Sequence, residues 1–285
     1  MIDNDKLNIS DLISIIIPCY NDAEFVEQAV NSALNQTYQN KEVIVVDDGS
    51  NAITKEILKR LDSTRVKLIT QENSGQSKAR NVGIDKANGD YILVLDSDDY
   101  FEPTFCDKAL GIFKSSGEEI KIVSCYANLL LDDGKKLEYK PQGGTIQDFL
   151  FFNQVLGTSM FKREDWRNCG GYDESMRNGF EDWEFFIRIL KNGGKALVIQ
   201  ELLYNYRKRS DSTTQIANGK KYELIKYIFL KHRELYINNF ESTISHLLCV
   251  AERERKEKIK NTNRLEFKIG QIVLKPIRWV KLFLG

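Results

Sequence analysis

The sequence predicts an α/β fold, with a mostly parallel central sheet flanked by helices and a helical C-terminal extension. Three observations point to it. Short β-branched or aliphatic runs alternate with segments of helical apolar spacing through the first half of the chain, the pattern of successive βαβ units. The run at 91–95 (YILVL) is continuously apolar, as expected of a strand buried on both faces. That run stops at Asp96-Ser97-Asp98-Asp99, and the run at 42–46 (EVIVV) stops at Asp47-Asp48-Gly49-Ser50. Polar residues at the carboxyl ends of parallel strands are where open α/β sheets bind ligands.

Taken in order, 12–18 (LISIIIP) reads as the first buried strand, followed by the polar turn Cys19-Tyr20-Asn21-Asp22. Residues 23–34 place Phe25, Val26, Ala29, Val30, Ala33 and Leu34 at helical spacing, with Asn21 or Asp22 as N-cap. The second strand at 42–46 precedes a helix at 53–61, a third strand at 66–69 and a helix at 78–87 closed by Asn88-Gly89. In the second half, 121–126 and 136–140 flank Leu131-Asp132-Asp133-Gly134 as a hairpin. A helix at 183–190 begins directly after Glu181-Asp182 and ends at Asn192-Gly193-Gly194, and 197–199 and 203–206 read as two short strands. The expected organisation is one α/β domain over 1–214 and a helical basic extension over 215–285.

Composition narrows the function classes. The chain has 285 residues, enough for a sizeable core, and its 41 Lys/Arg balance 41 Asp/Glu, so net charge gives no footprint for nucleic acid. The balance is uneven: from Gly219 onward there are 15 Lys/Arg against 7 Asp/Glu, a tail of net +8 on a body of net −8. The five cysteines (Cys19, Cys106, Cys125, Cys169, Cys249) have no CxxC spacing, fit no zinc pattern and suit a reducing compartment. The N-terminus lacks the basic start and apolar core of a signal peptide, and no apolar run is long enough to span a bilayer. A cytoplasmic location is expected, with contact to the inner face of the membrane through the tail.

Asp96 and Asp98 leave the strand from neighbouring positions, close enough to share one hard cation, and three adjacent carboxylates repel unless a cation offsets them. Alone the stretch also suits a solvated acidic turn. Asp48, beside a nucleobase, is placed to accept from a ring N–H, and Tyr20 to stack on a base. Gly75-Gln76-Ser77-Lys78-Ala79-Arg80-Asn81 opens a helix with two cations, suited to a diphosphate or to pairing with the strand-end aspartates, or to a plain solvated face. Glu181-Asp182 at a helix start serves either as a cap or as a general base on a rigid element. No Gly-x-Gly-x-x-Gly follows the first strand, and neither a Walker loop nor a Gly-x-Ser-x-Gly elbow is present. His232 and His246 lie in the tail, far in sequence from the acidic clusters.

Read together and in order, "SIIIPCYND", "EVIVVDDGS", "GQSKARNVGI", "GDYILVLDSDDYFEP", "GGYDE" and "GFEDWEFFIRI" resemble the inverting family-2 glycosyltransferases of GT-A fold, of the bacterial surface-polysaccharide, O-antigen and capsule type. The resemblance covers roughly residues 13–214. It implies transfer of a sugar, with inversion, from a nucleotide-diphosphate donor (usually UDP-linked) to a hydroxyl of a glycan or lipid-linked acceptor. Pro18, Tyr20 and Asp48 would hold the nucleoside, with Lys78, Arg80, Asp96 and Ser97 in the donor site. Asp98 would bind a Mn²⁺ or Mg²⁺ on the diphosphate, in the DxD manner. Asp182 would be the general base, with Glu181 beside it. Many relatives carry a histidine shortly after a Tyr-Arg strand; here the stretch is Tyr206-Arg207-Lys208-Arg209, which nominates Arg209 for the diphosphate.

In the tail, Arg264, Lys268, Gln271, Lys275 and Arg278 trace one polar stripe. Leu265, Ile269, Ile272, Val273, Val280, Phe283 and Leu284 fill much of the remainder, with Trp279 beside them and Pro276 as a kink. This is the pattern of an interfacial amphipathic helix; packing on the catalytic domain or on a second subunit as a homodimer is the alternative. Two other functions are weighed. A nucleotidyltransferase also pairs a nucleotide-binding sheet with metal-binding aspartates, but calls for a glycine-rich basic loop where this chain has Cys19-Tyr20-Asn21-Asp22. A non-catalytic sugar-nucleotide or carbohydrate binder has no need of both Asp98 and Asp182.

Overall fold

The computed structural model describes residues 11–209, 217–270 and 273–274. Nine strands form one mixed sheet: β1 (Ile13–Cys19), β2 (Lys41–Asp48), β3 (Val66–Gln71), β4 (Tyr91–Val94), β5 (Tyr100–Phe101), β6 (Ile120–Leu130), β7 (Lys136–Tyr139), β8 (Met160–Lys162) and β9 (Lys195–Arg207). Their order is β3-β2-β1-β4-β8-β6-β9-β5, with β7 also on β6. The helices are α1 (Val26–Leu34), α2 (Ala52–Lys59), α3 (Gln76–Asp85), α4 (Phe105–Ser116), α5 (Ile146–Phe149), α6 (Arg163–Cys169) and α7 (Glu181–Leu190). After β9 come α8 (Lys221–Lys231), α9 (Arg233–Asn238) and α10 (Phe240–Asn263).

The first half of the sheet follows the expected βαβ logic. β1 pairs in parallel with β2 on one side and β4 on the other, and β2 pairs in parallel with β3. Every residue of β1 is buried. Its alternate residues Ile13, Ile15, Ile17 and Cys19 enter a core with Val26, Ala29, Val30 and Ala33 of α1 and Phe105, Ala109 and Phe113 of α4. Ile16 faces α3 on the other side, where Gly83 lets helix and sheet close up: a Cβ there would meet Ile16 Cγ2 at 2.5 Å. Burial on both faces is why β1, β2 and β4 carry no hydrophobic-polar alternation.

Beyond β4 the sheet departs from a parallel plan. β8 is antiparallel to both β4 and β6, β7 forms the expected antiparallel hairpin with β6, and β9 runs parallel to β6 and antiparallel to β5. The two short strands expected at 197–199 and 203–206 are one strand, β9, whose register against β6 shifts near Cys125 and Tyr126. The irregularity interrupts the apolar pattern, so a continuous strand reads as two. All five cysteines are free, and Cys19, Cys106 and Cys125 are buried.

The chain divides into two compact units, Met1–Ile228 and Phe229–Gly285. The expected boundary at Thr214 falls outside the described residues. Within the second unit, Phe229 stacks on Tyr236 with ring centroids 4.1 Å apart, and Thr243 Oγ1 donates to the Asn239 carbonyl at 2.9 Å. Phe240, Ile244, Leu247 and Leu248 are exposed on the first turns of α10, and no described helix is long and apolar enough to cross a membrane. Most of the amphipathic pattern read in the tail (Gln271, Ile272, Lys275, Pro276, Arg278, Trp279, Val280, Phe283, Leu284) lies outside the described residues.

Candidate active site

The carboxyl ends of β1, β2 and β4 lie side by side, so the three polar turns that follow them meet on one edge of the sheet. The turn after β1 holds buried Pro18 and Cys19, then Tyr20, which is half exposed, then Asn21 in the left-handed region at φ 62°. That conformation, tolerated by asparagine, is held from both sides. Asn21 N–H donates to Ser50 Oγ at 3.1 Å, and Asn21 Oδ1 accepts from Asn51 N–H at 2.7 Å, which ties the β1 turn to the β2 turn.

At the end of β2, Asp48 is 3% exposed and its carboxylate is saturated. Oδ1 accepts from Gln71 Nε2 at 2.7 Å and from Ser74 N–H at 2.8 Å. Oδ2 accepts from Gly75 N–H at 2.9 Å and, more weakly, from Asn73 Nδ2 at 3.3 Å. The donors all come from the end of β3 and the loop into α3, so Asp48 shapes that loop and the entry to the helix that carries Arg80.

The end of β4 is built differently. Asp99 is fully buried and turned inward, accepting from Tyr204 Oη and from Arg207 N–H, both at 2.6 Å. Burial, with Asp98 and Asp96 nearby, pushes its carboxyl well above the usual range. Its role is to fasten β9 beside the β4 end. Ser97 Oγ donates to Asp22 Oδ2 at 2.6 Å, drawing the β1 turn in. Asp98 is pushed up to about 6 by burial, then by Asp96 and Asp22, against a lowering by Arg209. Arg209 Nη1 lies 2.8 Å from Asp22 Oδ1 and 3.4 Å from Asp98 Oδ2, while its guanidinium sits over the Phe25 ring at 5.3 Å. Arg207 Nη1 donates to the Asp98 carbonyl, and its guanidinium lies 4.8 Å from the Phe25 centroid.

Arg80 joins this edge to the second acidic centre. It is 3% exposed; Nη2 contacts Asp96 Oδ1 at 2.8 Å and Nη1 contacts Glu181 Oε1 at 2.6 Å, across 101 positions of sequence. The Tyr172 ring lies 5.4 Å from its guanidinium carbon. Arg80 Nε and Glu181 Oε2 are buried with no partner. One cation thus faces Asp96, Glu181 and the adjacent Asp182, and a buried ion pair left short of charge and donors is a poor stabiliser but a common functional arrangement.

The residue before Glu181 sets the geometry. Phe180 caps α7 at φ 62°, ψ 9°, left-handed for a residue with a side chain, a strain of about 1–3 kcal/mol that tends to collect at working sites. Glu181 thereby pairs with Arg80, while Asp182 takes its hydrogen bonds from other groups. Asp182 Oδ1 accepts from the Trp183 N–H at 2.7 Å and Oδ2 from Asn153 Nδ2 at 2.9 Å. Gly157 makes room: a Cβ there would sit 2.7 Å from Asp182 Oδ2. Burial, and then Glu181, push the Asp182 carboxyl up from 3.8 to about 7, with Arg80 opposing.

The fold therefore gathers Pro18, Tyr20, Arg80, Asp96, Ser97, Asp98, Glu181, Asp182 and Arg209 around one sheet edge, with Asp48 behind them organising a loop. Lys78 points elsewhere: its ammonium pairs with Glu174 at 3.1 Å, both side chains being 43% exposed. Asp22, Asn153, Gly157 and Arg207 enter the site without having been singled out from the sequence. Asp22 was weighed only as a helix cap, and Asn153 and Gly157 stand in a stretch with no distinguishing pattern. Among the described residues no group of three or more His, Cys, Asp or Glu is arranged to hold a metal ion. The donor set does fit a cation that takes most ligands from elsewhere: Asp98 is a crowded carboxylate, incompletely offset, and Mg²⁺-type ions commonly use one or two carboxylates plus substrate phosphates.

Residues 14–177 match the family described as Glycosyl transferase family 2, and residues 152–212 match one described as N-terminal domain of galactosyltransferase. An uncharacterised glycosyltransferase of Haemophilus influenzae is 47% identical over 219 residues, covering 70% of this chain and 78% of that protein. The hyaluronan synthase of Pasteurella multocida is 30% identical over 226 residues, covering 75% of this chain but only 22% of the synthase. Among solved structures, S. aureus TarS 1–349 in complex with UDP-GlcNAc superposes with a TM-score of 0.59 at 21% identity, covering 71% of this chain and 60% of that one. At that identity the likeness is one of fold.

Proposed function

The chain belongs to glycosyl transferase family 2, and from that membership we propose that it moves a sugar, with inversion, from a nucleotide-diphosphate donor to a hydroxyl of a glycan or lipid-linked saccharide. A UDP-linked sugar is the donor class, in keeping with the UDP-GlcNAc complex of the TarS neighbour. The observation that carries the reading is Arg80. One buried guanidinium bridges Asp96 at the β4 end and Glu181 beside Asp182, bringing the two acidic centres into a single site, as a transfer with separate leaving-group and attacking-group chemistry requires.

In this reading Pro18, Tyr20 and Asp48 receive the nucleoside. The four acceptor positions of Asp48 are already taken, so a nucleobase N–H enters by replacing the long Asn73 contact. Asp96 and Ser97 border the ribose, and Arg209, already beside Asp98, turns part of its charge toward the diphosphate. Asp98 is the residue that would hold a divalent cation, Mn²⁺ or Mg²⁺, which would supply Lewis-acid stabilisation of the leaving diphosphate. Asp182, largely buried at the start of a rigid helix, accepts the proton of the acceptor hydroxyl. A carboxyl raised to about 7 is well matched to proton transfer near neutral pH. Glu181 stays with Arg80 and keeps the helix start in place.

The basic tail, net +8 from Gly219, is assigned to an anionic membrane surface on the cytoplasmic side, where a lipid-linked acceptor would be met. Deletion after Asn263 is expected to abolish binding to anionic vesicles; retained binding refutes the assignment. For the reaction, nucleotide sugars are screened for turnover with Mn²⁺, with Mg²⁺ and with chelator, and products are separated. Sugar transferred or hydrolysed with release of the nucleoside diphosphate supports the proposal. Release of pyrophosphate instead indicates nucleotidyl transfer, and absence of turnover with every donor indicates a binding protein.

A further inference from the structure

We propose that Asn153 is a positioning residue for Asp182, holding one carboxylate oxygen in the orientation from which it takes the acceptor proton. The inference rests on the base role given to Asp182 above. Its first support is that the amide's direction is determined by the fold. Asn153 Oδ1 accepts from the Val155 N–H at 3.3 Å, so the opposite face, Nδ2, is the one presented to Asp182 Oδ2 at 2.9 Å. A flipped amide would set oxygen against carboxylate and lose both bonds.

The second support is that the segment carrying Asn153 is anchored to the elements of the site. Phe149 carbonyl accepts from Trp183 Nε1 at 2.7 Å, so the segment is fastened to the residue next to Asp182. Leu156 N–H donates to Ser124 Oγ of β6 at 3.1 Å, Gln154 carbonyl accepts from Gly143 N–H at 2.9 Å, and Val155 is buried. Gly157, four residues on, leaves the space that the carboxylate occupies. A carboxylate with Trp183 N–H on one oxygen and the amide on the other has no freedom to rotate away from the acceptor side.

The third is charge. The groups acting on Asp182 are Glu181 on its own helix, Arg80 of α3 and Asp96 after β4, and Asp182 in turn acts on Tyr139 of β7 and on Tyr172. Arg80, the cation among them, is already committed to Asp96 and Glu181. A neutral donor steadies the ionised form without adding a charge that would make the carboxylate too weak a base.

The test uses the full chain, with kcat and donor KM measured from pH 5.5 to 9.5 for wild type, Asn153→Ala and the near-isosteric Asn153→Asp. Asp182 is titrated directly by carboxyl ¹³C NMR, its resonance identified by its absence from Asp182→Asn. The expected result is an acid limb of kcat and an NMR titration that both move up by about one pH unit in Asn153→Ala and further in Asn153→Asp. Donor KM stays within about twofold, because the donor edge is untouched. An unmoved limb and titration in both variants, or a kcat lowered by the same factor at every pH, overturns the proposal. Asp182→Asn separates the two possible failures. Full turnover in that variant removes the base reading itself. Its inactivity together with an unmoved limb in the Asn153 variants removes only the role given to Asn153.

Discussion

At the end of β2 and at the end of β4 the chain does the same thing in sequence, running an apolar strand into consecutive aspartates, yet the two ends follow opposite electrostatic plans. Asp48 is met by four neutral N–H donors, one from the end of β3 and three from the loop that follows it. The β4 end is met by guanidiniums shared among more carboxylates than they can neutralise: Arg80 for Asp96 and Glu181, Arg209 for Asp22 and Asp98, with Arg207 on the Asp98 carbonyl. The first arrangement is a stable structural fixture. The second keeps a deficit that a cationic ligand or a proton can fill. Similar sequence at two strand ends therefore does not fix their electrostatics; the partners brought by the rest of the fold decide which end is left with a charge deficit.

The largest break in this contrast is expected from Arg80→Met. It leaves Glu181, 3% exposed, and Asp96 without their cation, and removing one partner of a buried ion pair costs about 3–5 kcal/mol. Urea unfolding of the two proteins measures it. A loss below about 1 kcal/mol would mean that water already reaches the pair and that the clamp is not dry.

Next in size, the same substitution is expected to act with opposite sign at the two ends. Asp48→Asn places an NH₂ against donors and leaves at least one buried group unmatched, at about 1–3 kcal/mol. Asp98→Asn removes a charge that Asp96 and Asp22 oppose, so its melting temperature in chelator equals or exceeds that of the wild type, while sugar transfer collapses. Equal destabilisation by both variants would erase the distinction between fixture and deficit.

A smaller effect sharpens the contrast on the Asp182 side. Its carboxyl is raised from 3.8 to about 7 in the folded state, so the folded protein holds a proton that the unfolded chain has released. The resulting stabilisation is fully present below about pH 3.8 and is lost as pH rises through about 7. Chemical unfolding at pH 5.5 and 8.5 is expected to show a decline in wild type that Asp182→Asn reduces. An identical decline in the two proteins would assign it to other groups.

How far the sequence reaches follows from the same contrast. β1, β2 and β4 are legible because their burial on both faces is written as runs of apolar residues, and the aspartates that follow β2 and β4 are local to each strand. Glu181-Asp182 is legible through its order after the other motifs. The mixed half is not. β8 is three residues long, and β9 changes register midway, so neither carries a pattern. Asn153 acquires meaning only through a bond across 29 positions, and Asp99 only through Tyr204, 105 positions away. A polar residue whose partner comes from distant chain has no local signature. Asp22 shows the converse: it was visible, but its cap reading was local, whereas its partners Ser97 and Arg209 are not.

The smallest effect is expected at Lys78, which stands at the start of the same helix as Arg80 and was nominated with it for the donor site. The two cations differ in what surrounds them. Arg80 is buried between two carboxylates, whereas Lys78 and Glu174 are each 43% exposed and their contact is open to water and salt. Exposed pairs of this kind contribute little, so Lys78→Ala is expected to change stability by less than about 0.5 kcal/mol and UDP affinity by less than about twofold, read by urea unfolding and by titration calorimetry. A tenfold loss of UDP affinity without loss of stability would carry a different lesson. The lysine would then leave Glu174 when the diphosphate arrives, and the charge deficit at the β4 end would be met partly by a cation recruited from the surface. In that case the contrast between the two strand ends would describe the free protein alone, and Lys78 would belong with Arg209 among the residues that turn toward the donor.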